Sequence, residues 1–149
     1  MTVYGAILLL HILGATIWAG GHLVLAVTIL PRVLREREPA RLLEFESAYE
    51  RIGMPALVVQ VATGLWLAHR MVPEPGRWLA FDDPVASLVG VKLLLLATTV
   101  AFALDARLRL IPRLSERNLV ALAWHIVPVT VVSVLFVIVG VAFRTGWFY

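Results

Sequence analysis

The chain has 149 residues, of which 60% are hydrophobic and 15% charged, with a formal charge of +3 and a mean hydropathy of +0.88. Soluble domains are roughly half apolar and about a quarter charged, so this balance implies lipid as the solvent. With no cysteine, disulfides, thiolate metal sites, iron–sulfur clusters and covalent c-type haem are excluded.

Four apolar segments follow one another, with predicted spans of about 3–30, 52–70, 85–105 and 119–143. Each reaches or approaches the ~20 residues that cross a ~30 Å hydrocarbon core as helix. The expected fold is therefore all-α: an integral membrane four-helix bundle forming one domain over 1–149. The first segment is too long for a cleavable leader and lacks a basic start and a small-residue cleavage site. No internal repeat stands out. Residues 39–51 carry Leu42, Phe45 and Tyr49 at helical spacing opposite charged positions. They predict an amphipathic cytoplasmic segment that starts at Pro39 and leads into the second span, with a kink expected at Pro55.

Arginines decide the orientation. Arg32, Arg35, Arg37, Arg41 and Arg51 lie between spans one and two, and Arg107, Arg109, Arg113 and Arg117 between spans three and four. The other side holds only Arg70, Arg77 and Arg144. The positive-inside rule then predicts both termini outward (N-out/C-out), in a bacterial inner membrane. These arginines flank apolar segments and form no aromatic-interleaved basic face, so no nucleic-acid partner is expected.

Within this apolar chain the histidines stand out. His11 and His22 are eleven residues apart in "HILGATIWAGGH". That is ~1100° of helix, so they share one stripe about 16 Å apart. Gly14 and Gly21 thin the same helix and allow a backbone or flat ligand to approach closely. Sorted by depth, the histidines form an outer pair, His11 with His69, and an inner pair, His22 with His125. A lone intramembrane histidine often only hydrogen-bonds a neighbouring helix. Four in depth-matched pairs suggest metal ligation, with haem iron taking imidazoles from facing helices. Trp18 is a candidate haem contact, and Lys92, the one formal charge deep in a span, a partner for a haem propionate or an anionic substrate. Trp66, Trp78, Trp147 and Tyr149 are expected interface anchors.

These residues resemble a known family. "HILGATIWAGG" is similar to the first-helix motif of CopD-type and HemJ-type membrane proteins, "RIGMPALVVQVATGLWL" to their second helix and "VKLLLL" to their third-helix lysine motif. The resemblance implies a four-helix membrane bundle able to bind haem b through His11, with the motif's functional lysine at Lys92. HemJ-type members oxidise protoporphyrinogen IX, and CopD-type members are named for copper resistance. "WHIVP" stands where HemJ-type proteins carry Asn-Glu-x-Pro, which weighs against protoporphyrinogen, and the extra His22, His69 and His125 suggest a further metal site.

The leading expectation is a b-type haem protein with one or two haems, acting in electron transfer or as a membrane oxidoreductase. All four histidines would ligate iron, and the partners would be quinone or quinol, a small redox molecule, or a periplasmic copper or electron-transfer protein, in a chain able to form a homodimer. The alternatives are copper transport or resistance and HemJ-like oxidation. For copper, Met1, Met54 and Met71 are the soft donors, and His69 to Met71 with Asp82 and Asp83 the candidate surface site.

Overall fold

Every long helix of this chain begins or ends where its local chemistry demands. The structure, a computed structural model, describes residues 2–147; Met1 and Tyr149 lie outside them. Helices α1 (Val3–Glu36), α2 (Pro39–Met71), α3 (Pro84–Arg113) and α4 (Glu116–Thr145) are each long and apolar enough to cross a membrane. No strand occurs among the described residues. Thr2 caps α1 by accepting from the Gly5 N–H (3.2 Å), and Arg37, at φ 55°, closes it in the left-handed region. Asp83 caps α3 through the Ala86 N–H (2.9 Å), with Pro84 in the first turn. A reciprocal Ser115–Asn118 capping box opens α4, and Gly146 at φ 66° ends it.

The amphipathic segment and the second span are one helix. At 33 residues α2 extends ~50 Å, well beyond the hydrocarbon, and it runs through Pro55 without a break. The other helices also overrun their apolar stretches, because helix geometry continues into the arginine-rich ends.

Two helices widen near that end. Residues 25–29 of α1 and 106–110 of α3 form π-helical turns, with the Leu30 N–H bonded to Leu25 O and the Ile111 N–H to Ala106 O. Each turn precedes a proline, Pro31 or Pro112. Proline lacks an N–H and its ring crowds the carbonyl four residues back, and a widened turn absorbs both conflicts.

α1 packs along α2, and α3 along α4; α1 also packs on α4, whereas α2 and α3 barely approach. A cluster of Leu30, Val33, Leu42, Leu119, Leu122 and Ile126 seals the arginine-rich end. At the other end Val72, Ala86 and Val89 pack beneath Trp78, whose indole N–H donates to Val72 O (2.8 Å). The outward faces are apolar: Val27, Leu108 and Trp124 are each more than 70% exposed, as lipid contact requires. Trp66 lies beside Tyr4 and under the Arg70 guanidinium.

At Gly14, α1 packs directly against the α2 backbone. A Cβ there would stand 3.0 Å from both Ala56 O and Gln60 Cβ, whereas one at Gly20 would meet nothing within 4 Å. Gly14→Ala is therefore expected to destabilise by about 1–3 kcal/mol, and Gly20→Ala to leave stability unchanged or raise it by up to about 1 kcal/mol. Thermal denaturation of both variants in detergent checks the contrast; equal melting temperatures would contradict it.

Candidate functional site

A cavity of about 180 Å³ opens between the helices toward the arginine-rich end, bordered by both π-helical turns. Its polar residues come from all four helices: His22 of α1, Glu46, Tyr49 and Glu50 of α2, Arg107 of α3 and His125 of α4. Trp18, Phe45 and Phe102 supply aromatic walls, and Met54 a thioether.

Three imidazoles are oriented in one way. His22 Nδ1 lies 2.8 Å from Trp18 O, His125 Nδ1 3.0 Å from Ala121 O and His11 Nδ1 3.0 Å from Gln60 O. A carbonyl only accepts, so each Nδ1 carries the proton and donates it. For His22, which lines the cavity, no hydrogen bond to Nε2 occurs among the described residues. His125 differs, because its Nε2 lies 2.7 Å from Asp105 Oδ2. Both nitrogens of the His125 ring are therefore occupied, one by a carbonyl and one by a carboxylate. Asp105 also accepts from Arg109 (2.8 Å).

Tyr49 organises the cavity wall. Its ring lies against Gly21 and Gly53, where any Cβ would collide with it. Its hydroxyl donates to Ile17 O (3.0 Å), with Trp18 O at 3.3 Å. The ring of His22 stacks at a tilt on Trp18 (4.5 Å) and meets Tyr49 edge-on (6.0 Å). The glycine read as space for a flat ligand is thus filled by tyrosine. Gly14 likewise faces α2, not a ligand.

The expected pairs are only partly assembled. His22 and His125 line the same cavity, but at different levels. Thr130 Oγ1, 3.2 Å from His22 O, marks where α4 meets His22, and His125 lies five residues away, ~7.5 Å along and ~140° around the helix. It faces α3, ring edge to Phe102 (5.5 Å).

The outer pair does not converge. His11 also meets Thr63 Oγ1 (3.0 Å) and lies over Gly64. Exposed His69 leaves α2 ~7.5 Å further out and ~140° around from Gly64. Depth alone had matched them; rotation about the helix separates them. Lys92 sets its ammonium over the Phe143 ring (5.4 Å) and beside Gly140, within electrostatic reach of His11.

The outer-loop carboxylates are already engaged. Arg77 bonds Asp82 (3.1 Å) and Asp83 (2.7 Å), so the surface copper site expected there loses its acidic donors. Among the described residues no group of three or more His, Asp or Glu side chains is arranged to hold a metal.

A family model described as copper resistance protein D matches residues 43–143. The chain belongs to the CopD family. No curated protein and no solved structure matches it. The match runs from the amphipathic start of α2 to the end of α4 and includes Tyr49, Met54, Asp105, Arg107 and His125. Tyr49, Asp105 and Arg107 were not legible as site residues: the first reads as one apolar position among several, and the others as loop charges. The "RIGMP" stretch that follows Tyr49 was the only available signal.

Removing the hydroxyl in Tyr49→Phe is expected to cost about 1 kcal/mol, read as a lower detergent melting temperature. The Arg77 hydrogen bond holds the Asp82 carboxyl below the usual carboxylate range. Stability from this pair is thus present above the unfolded aspartate pKa and lost as pH falls through the folded value. NMR titration should place Asp82 below an unpaired aspartate, and Arg77→Gln should return it upward.

Proposed function

We propose that this CopD-family membrane protein handles copper within the bilayer, with the ion as cargo of the inner cavity. The observation that carries this reading is the orientation of His22. Its Nδ1–H is committed to Trp18 O, which leaves the Nε2 lone pair for a ligand, and Met54 lines the same cavity. An imidazole and a thioether suit Cu(I), and fixing the remote ring nitrogen on a carbonyl is how proteins orient such ligands. His125 would join by exchanging its carboxylate partner, and Glu46 at the mouth attracts a cation. The arginine distribution supports both termini on the outer side of a bacterial inner membrane, which would place the cavity at the cytoplasmic leaflet.

Haem b is the second reading, favoured by the aromatic walls and by imidazoles from α1 and α4 on one cavity. His22 fits as an axial ligand; His125 would have to surrender Asp105. A haem there would supply one-electron chemistry, and this chain would bind and orient it. The outer haem has no second ligand in place. HemJ-like oxidation rests on the motif resemblance alone.

Competition with a Cu(I)-specific chelator on the detergent-purified chain separates these readings. One tightly held copper per chain is expected, weakened at least ~10-fold by His22→Ala and also by Met54→Leu. A colourless protein that takes up no copper, or one whose affinity ignores His22, would sink the copper reading. A red protein with a Soret band that His22→Ala abolishes would establish haem.

A further inference from the structure

The two helical hairpins correspond at a set of structural landmarks. The π-helical turn and Leu-Pro-Arg of α1 recur in α3 as a π-helical turn and Ile-Pro-Arg, with Pro31 corresponding to Pro112. At that same offset His11 corresponds to Lys92 and Gly21 to Phe102. A second constant offset relates α2 to α4, matching Tyr49 to His125 and Gly64 to Gly140. Contacts obey the correspondence. His11 lies over Gly64 as Lys92 Nζ lies over Gly140; the Tyr49 ring rests on Gly21 as the His125 ring meets Phe102. Both hairpins start from the same end of the bundle, so they are parallel repeats about an axis along the membrane normal. Transporters often place their sites between such repeats.

A quasi-twofold pair of hairpins has two equivalent seams, α1 with α4 and α2 with α3. At the first, the helices pack in close contact, with Thr130 Oγ1 3.2 Å from His22 O. At the second, α2 and α3 barely approach: Leu42 of α2 and Ala106, Leu110 and Ile111 of α3 share the apolar cluster of the arginine-rich end, and beside it both helices line the cavity. The ion pair of Arg107 with Glu50 (2.6 Å) spans this seam.

We infer that the α2–α3 seam is the gate of the inner cavity and that the Glu50–Arg107 pair is its latch. This rests on the proposed role of the cavity as the cargo site and adds how that site is regulated. With the latch closed, Arg107 neutralises Glu50 at the mouth. Parting the hairpins frees the Glu50 carboxylate beside Glu46, opening an acidic entrance for a cation. Both groups are partly exposed, 38% for Glu50 and 57% for Arg107, so the latch is weak enough to cycle.

The chain has no native cysteine, which makes accessibility labelling clean. Val129, buried at 6%, lines the cavity floor, and Val129→Cys reports opening to a charged water-soluble thiol reagent in copper-free proteoliposomes. Glu50→Gln and Arg107→Ala are each expected to speed labelling about fivefold, as loss of a partly exposed ion pair allows. The swap Glu50→Arg with Arg107→Glu should restore the slow rate, which a misfolded chain would not do. Wild-type labelling rates in the single variants, or a swap as fast as the singles, overturn the gate. A chain that gates as described yet binds no copper rejects the copper reading alone.

Discussion

Hydrocarbon offers a polar ring no partner, so each imidazole in the bundle must be satisfied by protein. The chain meets this constraint with its own backbone. His22 and His125 bond carbonyls one turn back in their own helices, and His11 bonds Gln60 O across the α1–α2 contact. One ring nitrogen is thereby tied to rigid helix. The other is bonded to Asp105 in His125 and makes no hydrogen bond among the described residues in His22, which lines the cavity. The same device that makes a histidine tolerable in lipid is the one that the proposed copper site would use to orient it. Stability and function are therefore not competing explanations for these residues.

Tyr49 shows how closely the cavity depends on that backbone. Two glycines, Gly21 and Gly53, leave room for its ring, and its hydroxyl reaches the carbonyls of Ile17 and Trp18. The Trp18 carbonyl therefore serves both Tyr49 and His22. A shift of α2 along α1 moves both polar groups of the cavity wall together. The π-helical turns add a second coupling, since α1 and α3 each change their winding beside the site and proline fixes where this happens.

How much was legible follows from the solvent. Hydropathy located all four membrane helices, because length and apolar content decide whether a segment can span. The helix start predicted at Pro39 likewise agrees with the observed one. Rotation about each helix was not legible. In a soluble helix the polar face reports azimuth, but lipid and the bundle interior are equally apolar, so the spans carry no such contrast. Depth could therefore be estimated for His69 and His125, and direction could not. That is why His69 proved to leave α2 on a different face from the one that meets His11, and why the Asp105 partner of His125 was missed. The repeat escaped for a related reason. Its correspondences pair unlike residues, His11 with Lys92 and Tyr49 with His125, in helices where most other positions are interchangeable Leu, Val, Ile and Ala.

Unlike residues at matched positions are also what turns a symmetric scaffold into a directional one. If both hairpins carried Tyr49-like residues, each would fill its own groove, and neither seam would have reason to part. Histidine at the second position instead meets Phe102 edge-on and is tied to Asp105 and, through it, to Arg109. On α3, Arg107 lies between these two partners in sequence and pairs with Glu50 across the α2–α3 seam. The charges of one helix end thus connect the site histidine, the latch and the arginine-rich surface. Among the described residues no ion pair links α1 to α4, which meet through the Thr130 hydroxyl and apolar side chains. Opening at the α2–α3 seam then follows from where the chain has placed its exchangeable interactions.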